Sequence, residues 1–104
     1  MSDETKPNPA AEQISIQTDQ QTVVGVYSNL MMISHRKEEF ILDFLFVQPQ
    51  RTPQGQQVAN LRARVITSPE HMKRIMKAMS ENIRRYEETF GLIEEATDMP
   101  KVTH

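Results

Sequence analysis

Two places in the chain set a serine close to a histidine: Ser34-His35, and Ser68 three residues before His71. A serine nucleophile needs a base within hydrogen-bond reach, an orienting group and donors for the oxyanion. Neither pair sits in the G-x-S-x-G elbow that would present such a hydroxyl, and Ser68-Pro69-Glu70 has a simpler reading as the start of a helix. The histidines His35, His71 and His104 share no i, i+4 spacing and form no H-E-x-x-H, so no metal site is expected. The adjacent acids Glu38-Glu39, Glu87-Glu88 and Glu94-Glu95 fall on different faces of any helix or strand, which suits solvated charge better than an acid/base pair. Glycine occurs only at 25, 55 and 91, too sparsely for a phosphate-cradling loop. With no cysteine, disulfides, thiolate metal sites and cysteine nucleophiles are excluded. The chain therefore reads as a non-enzyme, with no catalytic residue, cofactor or metal.

Two other constellations remain. Asp43 interrupts the apolar run Phe40-Ile41-Leu42-Asp43-Phe44-Leu45-Phe46. A carboxylate there needs a partner, and Arg62 or Arg64 on a following strand can supply one in bidentate form, which points to a structural ion pair at an interface and not to a functional acid. The second constellation is basic: Arg62, Arg64, Lys73, Arg74, Lys77, Arg84 and Arg85 stand against only Glu70 and Glu81 in the same span. Such an excess attracts phosphate backbones, and an exposed Tyr27 or Tyr86 offers a stacking surface for bases. Against that, Glu81 lies four residues before Arg85, and Arg84 four before Glu88, the pairing of a solvated helix face.

The elements that position these residues follow from pattern. Residues 1–20 are rich in Asp, Glu, Gln, Pro, Ser and Thr and read as a disordered tail, with a short edge strand conceivable at 14–18; residues 94–104 read as a second tail. Between them, residues 21–93 form one domain. The segments 22–34 and 39–48 are rich in β-branched and aromatic residues and predict a hairpin about His35-Arg36-Lys37-Glu38. The following 49–57, with two prolines, a glycine and four glutamines, predicts a loop that cannot continue a strand. A third strand is predicted at 58–67, where Leu61, Ala63 and Val65 alternate with Arg62 and Arg64. The expected fold class is α+β, a three- to four-stranded antiparallel meander followed by one long C-terminal amphipathic helix.

A first turn centred on Arg36-Lys37 places Phe40, Leu42, Phe44 and Phe46 on one face with Ile33, Met31, Leu61, Ala63 and Val65. The opposite face then carries Val26, Leu30, Met32, Ile41, Leu45 and Val47, with Asp43 opposite Arg62 and near Arg64. That face is too apolar for water. Leaving half a dozen such side chains wet forgoes on the order of several kcal/mol at about 25 cal/mol per Å2, so a second copy or another protein is expected to cover it.

The helix is predicted over residues 69–90: Ser68 caps it, Pro69 begins it, and Gly91 ends it, with Leu92 and Ile93 packing back. Met72, Met76, Met79, Ile83, Tyr86 and Phe90 follow one another at spacings of four, three, four, three and four, a heptad seam widened by Ile75 and Ala78. The first expectation is that this seam lies on the phenylalanine face as core; contact with the same helix of a second chain, or an adaptable methionine-lined binding surface, are the alternatives.

The blocks VYSNLMMISH, EEFILDF, RARVITSPEHMKR and ENIRRYEETFG, in that order, resemble a small bacterial family known only as domain of unknown function 3467. The resemblance covers about residues 25–93 and implies a bacterial source but no activity, ligand or site residue. More loosely, strands followed by a long helix are similar to single-stranded nucleic-acid-binding modules of the PUR and Whirly type and to SecB-type export chaperones. At 104 residues and a net charge of -2, without an apolar segment of membrane-spanning length or a secretory start, the chain is expected to be cytoplasmic. The expected role is a homo-oligomeric interaction or scaffold domain whose expected partner is a second copy of itself, in a homodimer or higher oligomer, with another protein as the alternative. Single-stranded nucleic acid held by Lys73, Arg74, Lys77, Arg84 and Arg85 is the alternative, and a chaperone-like binder of apolar segments a weaker one.

Overall fold

The computed structural model describes residues 13–95. The tails expected at 1–20 and 94–104 lie largely outside these; residues 13–19 are exposed and form no strand, so the edge strand expected at 14–18 is absent. A short helix, α1 (Gln20–Val24), comes next, where a strand beginning at residue 22 was expected. The reason is local. The Asp19 side chain accepts the Thr22 N–H at 2.8 Å and the Thr22 hydroxyl at 2.9 Å, capping a helical turn that Gly25, at φ 80°, stops.

Three antiparallel strands then form one sheet in chain order: β1 (Leu30–Arg36), β2 (Glu39–Arg51) and β3 (Gln57–Thr67). β1 and β2 meet at a two-residue turn, Lys37-Glu38, with Arg36 opposite Glu39 and an ion pair of 3.7 Å between them. Among the described residues only glycines have positive φ, so the turn belongs to neither of the primed types that hairpins favour. The register differs by two residues from a turn centred on Arg36-Lys37, and a shift of two leaves every side chain on its expected face. Phe40, Leu42 and Phe44 thus share a face with Ile33, Met31, Ala63 and Val65.

Two departures occur on the far half of β2. Phe44 pairs with Ala63 but Leu45 pairs with Leu61, so Arg62 is an extra residue in β3, a bulge. Leu61 is thereby carried to the Leu45 face, away from the phenylalanines with which it was expected. β2 also continues through Pro49 to Arg51, across the segment expected to be a loop. Pro49 falls in the irregular stretch between Val47↔Ala59 and Arg51↔Gln57, beyond the reach of β1, where a missing N–H costs no ladder bond. β1 ends at Leu30, opposite Leu45, and the Asn29 side chain takes the next place: its Oδ1 accepts the Val47 N–H at 2.8 Å and its Nδ2 donates to the Val47 carbonyl at 3.4 Å.

The second helix, α2 (Pro69–Phe90), has the expected bounds. The Ser68 hydroxyl accepts the His71 N–H at 3.1 Å, and Gly91, at φ 97°, donates its N–H to the Glu87 carbonyl at 2.9 Å. Leu92 is exposed and does not pack back; instead the Ile93 N–H is taken by a Glu87 carboxylate oxygen at 2.9 Å. Only the first turns of α2 reach the sheet, where Met72 and Ile75 are half-buried; Met76, Met79, Ile83, Tyr86 and Phe90 are exposed. The seam is therefore not laid along the phenylalanine face, contrary to the first expectation. A helix of 22 residues is roughly 33 Å long. It starts at the Phe40 end of the sheet and runs off it, giving an elongated molecule of 63 × 35 × 33 Å.

Candidate self-association interface

The sheet face turned away from the phenylalanines is built by strand alternation. Around β2, Ile41 lies between Ser34 and Ile66, Asp43 between Met32 and Arg64, and Leu45 between Leu30 and Leu61, with Val47 opposite Ala59. Leu30, Met32, Ile41, Asp43, Leu45, Val47 and Arg64 are thus brought together as expected. Leu61 and Ile66 join them: the first arrives through the bulge, the second by alternation from Arg64. Both are exposed. Val26 is outside the strands, bordering an open groove with Tyr27, Met31 and Phe44 on the other side of the sheet.

Among the described residues Asp43 is the one buried charged residue, 8% exposed. Its partner is Arg64 and not Arg62: Nε donates to Oδ1 at 2.6 Å and Nη2 to Oδ2 at 3.0 Å, a parallel two-point contact. The Arg64 hydrogen bonds hold the Asp43 carboxyl below the usual carboxylate range, against the opposing pull of burial, and the guanidinium charge adds to the lowering. The same bonds hold the guanidinium above its ordinary value. Arg62, displaced by the bulge, borders a hollow with Tyr27 and Phe46, whose rings meet edge-on at 6.1 Å.

The residues considered for other chemistry stay apart. Ser34 and His35 are exposed on β1, and the His35 ring lies 5.5 Å from that of Phe40. Ser68 is engaged as the cap of α2. Among the described residues no group of three or more His, Asp or Glu side chains is placed to hold a metal ion, and no helix is long and apolar enough to cross a membrane. Of the basic residues on α2, Arg84 is held by Glu81 and Glu88 on its own helix, with Nη1 2.6 Å from the Glu88 carboxylate. Lys73, Arg74 and Lys77 are exposed and form no ion pair among the described residues.

An antiparallel sheet with one apolar face exposed among the described residues and a projecting amphipathic helix defines a small α+β domain. The chain belongs to the protein family of unknown function DUF3467, whose model matches residues 1–95. The match includes the N-terminal segment as well as the 25–93 span in which the four blocks lie. No curated protein and no solved structure matches the chain.

Proposed function

We propose that this chain is a non-enzymatic interaction module that assembles with copies of itself, and that the Ile41/Leu45/Leu61/Ile66 face of the sheet is where two copies meet. The observation that carries this reading is the size of the core. Among the described residues, Leu42 (3% exposed) and Val47 (8%) are the only buried apolar side chains. A single layer of sheet with a departing helix cannot bury enough apolar surface to offset chain entropy unaided. A second sheet packed face to face, about 10 Å away, supplies the missing layer. The Asp43–Arg64 pair then lies within that contact and fixes its polarity, since an ion pair already closed within each chain adds no unpaired charge to the junction.

Light scattering after size exclusion tests this. The mass at micromolar concentration is expected to be a multiple of the 12.0 kDa chain, and Leu61→Asp is expected to halve it, because a carboxylate placed in the contact has no partner there. A monomeric mass for the unmodified chain overturns the reading. Lys73, Arg74 and Lys77, exposed on one helix half, support the competing reading of a single-stranded nucleic-acid binder. The chain has no Trp and two Tyr, so bound nucleic acid would dominate its ultraviolet absorbance. A clean protein spectrum, with no retardation of single-stranded DNA or RNA at low salt, removes that reading.

A further inference from the structure

We infer that α2 pairs antiparallel with α2 of a second copy about a two-fold axis near Ser80–Asn82, with Phe90 of each copy entering a groove at the helix start of the other. The inference rests on the self-assembling reading above and adds a second, separate contact.

Three observations support it. Among the described residues nothing covers the seam over most of its length, and Phe90 is 73% exposed at its far end. Its heptad spacing is that of two helices packing knobs into holes. Antiparallel pairing sets Met72 against Phe90, Met76 against Tyr86 and Met79 against Ile83 of the other copy, so each flexible methionine meets a stiffer branched or aromatic side chain. At the Met72 end the seam opens into an apolar groove of about 390 Å3, bordered by Ile33, Phe40, Pro69, Met72, Lys73 and Met76. In this register the aromatic end of the partner helix arrives at that groove, covering the part of the phenylalanine face that α2 itself leaves bare.

Charge selects the direction. Residues 69–79 carry three basic side chains against Glu70, whereas residues 80–95 carry five acids against Arg84 and Arg85. Parallel pairing lays like halves together; antiparallel pairing lays each basic half on an acidic one. Lys73, Ser80 and Glu87 recur at intervals of seven along one flank of the seam. With the axis near Ser80–Asn82, Lys73 of each copy lies within about 3 Å, measured along the helix, of Glu87 of the other. Glu87 has one carboxylate oxygen on the Ile93 N–H, leaving the second for a lysine.

The absence of native cysteine makes the test clean. Lys73→Cys and Glu87→Cys chains are prepared separately, mixed and oxidised. Disulfide-linked dimers are expected in the mixture and in neither variant alone, because antiparallel pairing holds the two residues 73 roughly 20 Å apart. Self-linking of Lys73→Cys alone indicates parallel helices and overturns the inference. So does an absence of linkage in the mixture: if the unmodified chain is nonetheless a multimer, only the helix contact is wrong, and if it is a monomer, the sheet contact fails with it. Repeating the mixture with Leu61→Asp in both chains separates the two contacts, since helix-linked dimers are expected to persist when the sheet junction is broken. As a second readout, Glu87→Lys is expected to lower the assembly mass at dilute concentration, and Lys73→Glu in the same chain to restore it; a double variant no better than the single overturns the assigned register.

Discussion

At the scale of single residues, Asp43 joins burial to charge. Its carboxylate is held ionised by the two-point contact with Arg64, and its folded-state pKa lies below the ordinary value. A carboxyl whose pKa is depressed on folding contributes stability that is fully present above the unfolded value and is lost as pH falls through the folded one. The contribution of Asp43 is accordingly expected to be intact at neutral pH, to begin to fall below about pH 4, and to vanish only as pH passes below the lowered folded value. Asp43→Asn is expected to flatten the acid limb of a plot of Tm against pH. It will not remove that limb, since Asp19 is also lowered by its hydrogen bonds to the Thr22 backbone and hydroxyl. At pH 7, Asp43→Ala is expected to lower Tm more than His35→Ala, because it leaves Arg64 without its partner while His35 is exposed on β1. Equal, small effects would show that the pair does not stabilise the sheet.

Among the elements, α2 depends on its first turn. Ser68→Ala removes the acceptor for the His71 N–H and is expected to cost about 1 kcal/mol, read as a fall in Tm of roughly 4–8 °C for a domain of this size; an unchanged Tm would mean that water replaces the hydroxyl at no cost. That helix was legible in sequence to the residue because its signals, Ser68, Pro69 and Gly91, act within one turn of where they stand. The two faces of the sheet were legible too, since alternation survives a register shift of two. What failed depended on other strands. Nothing in 58–67 marks Arg62 as the bulged residue, because a bulge answers to the coiling of β2 against β3, and so the choice between Arg62 and Arg64 as partner of Asp43 stayed open. Pro49 argued for a loop only on the premise that β2 is flanked on both sides there, and β1 is too short for that. The run 22–34 looked like one strand because β-branched composition outweighed the Asp19 cap and the Gly25 stop. The placement of the helix seam could not be read either, since the same heptad serves a sheet and a second helix equally well.

At the scale of the molecule, the sheet face and the helix seam are different surfaces, and in the proposed assembly each pairs with itself. Two such contacts on one chain close into a tetramer if their two-fold axes cross at right angles, and otherwise extend without limit. A discrete mass of four chains in light scattering, falling to two in Leu61→Asp, is the expected result; a broad, concentration-dependent distribution would show that the axes do not close. Asn29 occupies one further place at which the sheet could grow. Past Leu30 no strand among the described residues pairs with that edge of β2, and an open edge is a template on which foreign strands add. The Asn29 carboxamide, bonded to both the N–H and the carbonyl of Val47, stands in for one peptide group of an absent neighbour. The proline two residues further on offers no N–H for a newcomer to use. A chain with so much exposed apolar surface is open to fibril formation on its way to assembly, and at this end of β2, as distinct from the outer edges of β1 and β3, a side chain and a proline already hold the place where a stray strand would dock.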